Sequence, residues 1–196
     1  MSENEHANVS KEQPKGSVRL KKTVVMVGMM GAGKTAVGKA LAQKLGVPFV
    51  DSDVAIVEAA NMSIPEIFAR DGEAFFRRKE SQVIARLLSE KSGILSTGGG
   101  AFLSEDNRKM ISEHGVSVWL NADLETLWTR VRHKDTRPLL RTADPRGTLK
   151  GLYEARVPVY ALADLTVMSN PQTSVDGMAE RVLAALSARP DVMESA

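Results

Sequence analysis

The chain has 196 residues, of which 43% are hydrophobic and 26% charged, a balance typical of one globular domain with a full core. The formal net charge of +2 is too small to predict a nucleic-acid surface, and the lack of cysteine excludes disulfides and thiolate chemistry and fits a reducing cytosol. No apolar run approaches the ~18 residues that a membrane span needs. Together with the small net charge, this leads us to expect a cytoplasmic protein that binds neither membranes nor nucleic acids.

Two polar segments flank the predicted domain. Residues 1–22 are polar and of mixed charge, without the apolar stretch of a signal peptide, and we expect them to form a disordered leader. Residues 189–196 follow the last predicted helix as a polar tail. Residues 23–188 are therefore predicted to form a single domain.

The first predicted strand, residues 23–27, leads into the pattern G-x-x-x-x-G-K-[ST] at residues 28–35, which we call the phosphate loop. Its glycines let the backbone wrap closely around a phosphate with N–H groups pointing inward. Lys34 can supply a positive charge to the β- and γ-phosphates, and the Thr35 hydroxyl can ligate Mg²⁺. The spacing differs from the G-x-G-x-x-G of dinucleotide sites, so a nucleoside triphosphate is favoured over NAD. The alternative is a glycine-rich turn with an exposed lysine.

Two carboxylates follow the second predicted strand. The preceding helix is expected to end at Gly46, and the short apolar run at residues 47–50 leads into Asp51 and Asp53. Because the carboxyl ends of parallel strands line the ligand crevice of an open sheet, these side chains should lie beside the phosphate loop. The alternative is that Ser52 or Asp53 only caps the next helix, although both roles can coexist.

A capping box at residues 63–66, with proline in its first turn, predicts the start of another helix. A longer helix is expected after Gly72, and it places Arg77 and Glu80 side by side at i and i+3. The simplest interpretation of those two is a surface ion pair. By spacing alone, Arg77 is no more distinctive than Arg78.

Three consecutive glycines, Gly98, Gly99 and Gly100, follow the third predicted strand at residues 93–96. Each glycine costs backbone entropy, and such a run is typical of a backbone that closely approaches a bound group. The alternative is a flexible turn. We call residues 98–100 the glycine loop and predict that it binds a ligand.

The rest of the sequence predicts strands at residues 116–120 and 164–168 among helical patterns, one of which should end or kink at Pro158. Residues 132–148 are rich in basic side chains and form either a lid that closes over a polyphosphate or a solvated loop. Five strands alternating with helices predict an α/β fold with a five-stranded parallel sheet and helices on both faces.

The chain is too short for a second large domain, which favours a small-molecule or nucleotide kinase with its lid and acceptor pocket inserted between core strands. One of the two carboxylates can then hold the water shell of Mg²⁺ while the other accepts the proton of an attacking hydroxyl.

Six motifs stand in one order along the chain: residues 28–35, Asp51-Ser52-Asp53, Gly72-Glu73 with Phe76-Arg77, Gly98-Gly99-Gly100, Arg137-Pro138-Leu139, and Arg156-Val157-Pro158-Val159-Tyr160. Together they closely resemble shikimate kinase. The resemblance implies a P-loop nucleoside-monophosphate-kinase-like fold with an acceptor-binding segment at about residues 52–82 and the lid at about 132–148. It also implies transfer of the γ-phosphoryl group of ATP to the 3-hydroxyl of shikimate, in chorismate and aromatic amino acid biosynthesis, by a monomer that uses Mg²⁺.

The same resemblance implies roles for individual residues. The nucleotide-binding residues are Gly31, Ala32, Gly33, Lys34, Thr35, Ala36, Arg130 and Arg137. Among them, Arg130 is expected to stack on adenine and Arg137 to reach the phosphates from the lid. The substrate-binding residues are Asp53, Arg77, Gly99, Gly100 and Arg156. The two arginines should clamp the shikimate carboxylate, and Asp53 should act as the base. Lys34, Asp53 and Arg137 are the expected catalytic residues, and Thr35 and Asp51 the metal ligands.

Two rival functions stay open. A related kinase that acts on another hydroxylated acid, such as gluconate, should lack the paired arginines and the triple glycine. A catalytically silent homologue should have lost charged site residues that this chain retains. The leader has no counterpart in the resemblance, and Thr35 stands where serine is common, which keeps the metal-binding hydroxyl.

Overall fold

The computed structural model describes residues 18–90, 92–134 and 137–195. Its strands are β1 (Val18–Leu20), β2 (Thr23–Val27), β3 (Phe49–Asp51), β4 (Ile94–Ser96), β5 (Gly115–Ala122), β6 (Leu165–Ser169) and β7 (Met193–Ser195). Its α-helices are α1 (Lys34–Leu45), α2 (Ser52–Ala60), α3 (Ile64–Ser89), α4 (Glu105–His114), α5 (Leu124–Val131), α6 (Pro145–Tyr160) and α7 (Val175–Ser187). Short 3₁₀ turns occupy Ala101–Leu103 and Pro138–Leu140.

Five of the strands form one parallel sheet in the order β3-β4-β2-β5-β6, flanked by helices. This confirms the predicted α/β class. The central strand β2 is buried at every residue, as an apolar run covered on both faces should be. Because β3 and β4 lie on one side of β2 and β5 and β6 on the other, the carboxyl ends of all five strands lie along one edge, where the phosphate loop leaves β2.

The terminal segments differ from the expected leader and tail. Val18–Leu20 of β1 pairs antiparallel with Met193–Ser195 of β7, so residues 18–20 are not part of a disordered leader. Burial of Leu20 and Met193 stabilises this pair, and Lys21 adds an ion pair to Glu194 at 3.2 Å. Strands of three residues are too short to recognise from sequence periodicity. Residues 1–17 of the expected leader lie outside the described residues.

Three helices differ in detail from what the sequence predicts or agree with it at positions near the site. Helix α2 is capped by Asp51, whose side chain accepts from Asp53 N, and not by Ser52 or Asp53. Helix α3 contains the expected interruption at Gly72, where φ is 83° and ψ is 169°. Helix α6 continues through Pro158 and ends only at Tyr160, so the proline sits in its last turn. Its start at Pro145 places residues 145–148 of the expected lid in a helix, and residues 135–136 of that segment lie outside the described part.

In the described ranges, none of the helices combines the length and the apolar character that crossing a membrane requires.

Candidate active site

The phosphate loop links β2 to α1 through backbone conformations that favour glycine. Gly28, Gly31 and Gly33 have φ values of 140°, 80° and 95°. A methyl group on Gly31 would lie 2.7 Å from Val131 Cγ1, because α5 packs directly on the loop. Gly33 caps α1 without any side chain, which leaves the first N–H groups of the helix available to an anion.

The Lys34 ammonium group is folded back onto the loop. It donates to the carbonyl oxygens of Gly28 at 2.8 Å and Met29 at 3.0 Å. Burial, with Arg137 nearby, lowers the pKa of Lys34 to about 8, although the carboxylates of Asp53 and Asp51 act in the opposite direction. When phosphate oxygens replace these two carbonyl oxygens as acceptors, the hydrogen bonds of the ammonium group become stronger, because the new acceptors are negatively charged.

Thr35 and Asp51 place two side-chain oxygen atoms next to each other. The Thr35 hydroxyl donates to Asp51 Oδ2 at 3.0 Å and lies 3.5 Å from Ser96 Oγ at the end of β4. The other carboxylate oxygen accepts from Asp53 N at 2.9 Å, which holds the Asp51 side chain in place. The described residues contain no cluster of three or more acidic or histidine ligands. One hydroxyl and one carboxylate suit Mg²⁺, which keeps several waters and shares its coordination with substrate phosphates.

Asp53 lies against the glycine loop. A methyl group on Gly98 would be 2.8 Å from Asp53 Oδ1. Burial and the neighbouring Asp51 carboxylate raise the pKa of Asp53, whereas Lys34 and Arg77 act to lower it. An aspartate with a raised pKa next to cations is suited to accept a proton from a bound hydroxyl.

The next two glycines lie against the two predicted clamp arginines. A methyl group on Gly99 would be 3.2 Å from Arg156 Nη1, and one on Gly100 would be 2.5 Å from both terminal nitrogens of Arg77. The methyl group on Gly99 would also be 3.9 Å from Gly28 O of the phosphate loop. The structure therefore brings residues of α2, α3 and α6 together on one loop beside the phosphate loop.

Arg77 is fixed by a buried partner. Its Nη1 donates to Glu80 Oε1 at 2.8 Å, and the Glu80 side chain is only 2% exposed. Burial raises the pKa of Glu80, and the Arg77 guanidinium opposes that rise. The ion pair predicted from the sequence is therefore confirmed, but its expected surface location is wrong, because α3 turns Glu80 into the core.

Arg130 and Arg137 lie on the phosphate-loop side of the site. Arg130 donates to the carbonyl oxygen of Gly31 at 3.2 Å and to Ser169 Oγ at 3.3 Å, so it bridges the phosphate loop and the end of β6. The Nε atom of Arg137 is buried and has no hydrogen-bond partner among the described residues. The remaining loop residues, Ala32 and Ala36, occupy the turn before α1 and its first turn.

Three residues to which the sequence assigned no role in the site also shape it. Ser96 ends β4 beside Thr35, and Glu80 is a buried anchor for Arg77. Tyr160 is fully buried, and its hydroxyl donates to Gly99 O at 2.5 Å. The spacing from Arg156 to Tyr160, one helical turn, is the sequence feature that could have indicated a shared face.

Comparison with known proteins decides the family. The sequence matches the family model described as shikimate kinase over residues 30–187. The chain belongs to the shikimate kinase family. A shikimate kinase from Ruegeria pomeroyi is 70% identical over 194 residues, which cover 99% of both proteins. One from Cereibacter sphaeroides is 69% identical, over 90% of this chain and 88% of that protein.

Similar solved structures include a shikimate kinase and a gluconokinase. A shikimate kinase from Acinetobacter baumannii in complex with shikimate has a TM-score of 0.80 and 37% identity, over 86% of this chain and 94% of that one. A gluconokinase from Sinorhizobium meliloti has a TM-score of 0.56 and 17% identity, over 87% of this chain and 94% of that one. At that identity the second likeness shows a shared fold alone, so the gluconate rival gains no support from it.

Proposed function

We propose that the chain transfers the γ-phosphoryl group of ATP to the 3-hydroxyl of shikimate, giving shikimate 3-phosphate and ADP in chorismate and aromatic amino acid biosynthesis. The observation that carries this proposal is the convergence of Asp53, Arg77 and Arg156 on the glycine loop. A carboxylate for a hydroxyl and two guanidinium groups for a carboxylate are the complement of a hydroxylated carboxylic acid.

On the nucleotide side, the phosphate loop binds the phosphates of ATP. Lys34 exchanges its two carbonyl acceptors for phosphate oxygens, and the unpaired Arg137 Nε gains an acceptor. Arg130 contacts adenine with the face of its guanidinium, since its edge is already occupied by Gly31 O and Ser169 Oγ. These residues neutralise charge on the transferred group and hold it in line with the acceptor.

In the chemical step, the shikimate hydroxyl loses its proton to Asp53 as its oxygen bonds to the γ-phosphorus. The bond from that phosphorus to the oxygen bridging the β-phosphate breaks, and ADP leaves with the electron pair. Lys34 and Arg137 stabilise the negative charge that accumulates on the leaving side. Arg77 and Arg156 hold the carboxylate at the far end of the acceptor, so that only one hydroxyl reaches the phosphorus.

Thr35 and Asp51 would hold the magnesium ion. A magnesium ion held by these two residues would supply positive charge that offsets the charge of the phosphates. We further propose that the enzyme acts as a monomer in the cytoplasm, without a membrane or nucleic-acid partner.

The test is the release of ADP in a coupled assay with ATP, Mg²⁺ and each candidate acid at equal concentration. We expect turnover with shikimate and background rates with gluconate. Turnover with gluconate and none with shikimate would overturn the proposal, and no turnover with any acceptor would favour the silent homologue. Omission of Mg²⁺ should abolish shikimate-dependent turnover.

A further inference from the structure

Tyr160 has no part in the chemistry described above, yet its hydroxyl reaches into the acceptor site. The side chain is fully buried at the end of α6, where its ring lies 6.3 Å from that of Trp119. Its hydroxyl donates to the carbonyl oxygen of Gly99 at 2.5 Å, and the Arg156 guanidinium lies beside it. A buried tyrosine hydroxyl needs a hydrogen-bond partner, and many buried groups could serve. Here the partner belongs to the glycine loop, which suggests a role beyond stability.

The peptide that Tyr160 holds is the central peptide of a tight turn. Ala101 N donates to Gly98 O at 3.2 Å, which closes a four-residue turn with Gly99 and Gly100 at its centre. Gly100 has φ −90° and ψ −15°, the values expected at the third position of a type I turn.

This turn has a low-cost alternative. Rotating the peptide between Gly99 and Gly100 converts type I to type II, which needs a positive φ at Gly100, and glycine adopts that conformation without strain. The loop sequence by itself therefore permits both orientations of the peptide. The hydrogen bond from Tyr160 is made only when the Gly99 carbonyl points toward α6.

The two orientations present opposite charges to the acceptor. The Gly99 peptide is trans, so the Gly100 N–H points away from the carbonyl that Tyr160 binds. Among the described residues, neither this N–H nor that of Gly99 has a hydrogen-bond acceptor. In the flipped turn, a carbonyl oxygen would take the place of the N–H of Gly100, the glycine that the Arg77 guanidinium lies against, and would repel a carboxylate bound there.

We propose that Tyr160 is a positioning residue that fixes the orientation of the Gly99–Gly100 peptide, so that the Gly100 N–H and not a carbonyl oxygen faces the carboxylate of the acceptor. The inference rests on the proposed function for the identity of that acceptor. Burial raises the pKa of Tyr160, which keeps its hydroxyl protonated and able to donate across the working pH range.

The test compares the two tyrosines of the chain, which both lie on α6. Tyr160→Phe keeps the buried ring and removes the hydroxyl, and Tyr153→Phe is the matched control at a half-buried position. For Tyr160→Phe we expect the KM for shikimate to rise about three- to tenfold, the range that corresponds to one lost hydrogen bond, with kcat and the KM for ATP within about twofold of the wild type. Tyr153→Phe should match the wild type in all three constants.

Equal shikimate KM values for Tyr160→Phe and the wild type would overturn the inference, and so would a fall in kcat with an unchanged KM. A second measurement needs no variant: on addition of shikimate to the wild type, the Gly100 amide proton should shift downfield, and the lack of a shift would also overturn it. If the wild type itself does not turn over shikimate, the proposed function fails, which is a distinct result.

Discussion

Arg77 and Glu80 form an ion pair across one turn of α3 in which the two partners differ sharply in exposure: the Arg77 side chain is 36% exposed and that of Glu80 only 2%. The glutamate therefore depends on the arginine for its charge compensation, whereas the other terminal nitrogen of the arginine lies 3.5 Å from the exposed carboxylate of Glu73. The same contact thus stabilises the fold and orients the guanidinium group that we propose binds the carboxylate of the acceptor.

Removing the arginine should expose this dependence as a pH effect on stability. In Arg77→Ala, the pKa of Glu80 loses the cation that opposes its rise, so it moves further up. At pH 7.5 the ionised buried carboxylate, left without its cation, should lower the free energy of unfolding by about 2 kcal/mol. This loss is smaller than that expected for breaking a fully buried ion pair, because Arg77 is partly exposed. As the pH falls toward the raised pKa, Glu80 takes up a proton and the loss shrinks.

The measurement is thermal unfolding of both proteins at pH 7.5 and pH 5. Arg77→Ala with Glu80→Gln is the control, and it should recover most of the stability at pH 7.5. An equal destabilisation at both pH values would contradict this account of the pair.

Arg77→Lys tests whether the shape of the guanidinium group, and not only its positive charge, is needed to bind shikimate. An ammonium group keeps the positive charge but cannot bind a carboxylate with two parallel hydrogen bonds. We expect the KM for shikimate to rise by roughly tenfold or more, with the KM for ATP unchanged. Steady-state kinetics with each substrate varied in turn decide the point, and wild-type shikimate kinetics would remove Arg77 from the clamp.

Asp53→Asn should separate catalysis from stability. If Asp53 accepts the proton, kcat falls by roughly 10²-fold or more. Since burial and Asp51 raise the pKa of Asp53, its charged form is disfavoured in the folded protein, and the neutral amide should leave the melting temperature unchanged or higher. An unchanged kcat would leave Asp53 with a positioning role only.

Lys34 should make ATP binding sensitive to alkaline pH. Its pKa in the free protein is about 8, so the ammonium charge is lost above that pH before the nucleotide binds. Titration calorimetry from pH 7 to 9.5 should show ATP affinity falling by roughly tenfold per pH unit above the pKa. Lys34→Arg, which stays charged, should bind more weakly at pH 7 but with a flat profile. A flat profile in the wild type would show that phosphate contacts do not depend on this charge.

Gly100→Ala should damage the acceptor site directly. The added methyl group would lie 2.5 Å from the Arg77 guanidinium and push it away, so the KM for shikimate should rise by roughly tenfold or more. Gly151→Ala in α6 is the control, because nothing lies within 4 Å of that position and alanine favours a helix. It should keep wild-type kinetics and gain up to about 1 kcal/mol in stability.

The sequence alone determined the parts of this protein that depend on local chemistry. The phosphate loop, the capping box at Ser63 and the interruption at Gly72 each need particular residues for backbone reasons, and each occurs where predicted. The five strands of the main sheet were also found, although the edge strand β3 is shifted by one to two residues. Since parallel strands end at one edge of a sheet, the approach of Asp51 to Thr35 followed from the class of fold.

Only the tertiary structure decided which of several chemically similar side chains make contact with the site. Arg77 and Arg78 are neighbours with the same chemistry, but only Arg77 lies against both Glu80 and Gly100. The contact of Tyr160 with Gly99 joins residues 61 positions apart, and the pairing of β1 with β7 joins the two ends of the described chain. These contacts depend on how helices rotate and pack against a finished sheet, and no local pattern encodes that rotation.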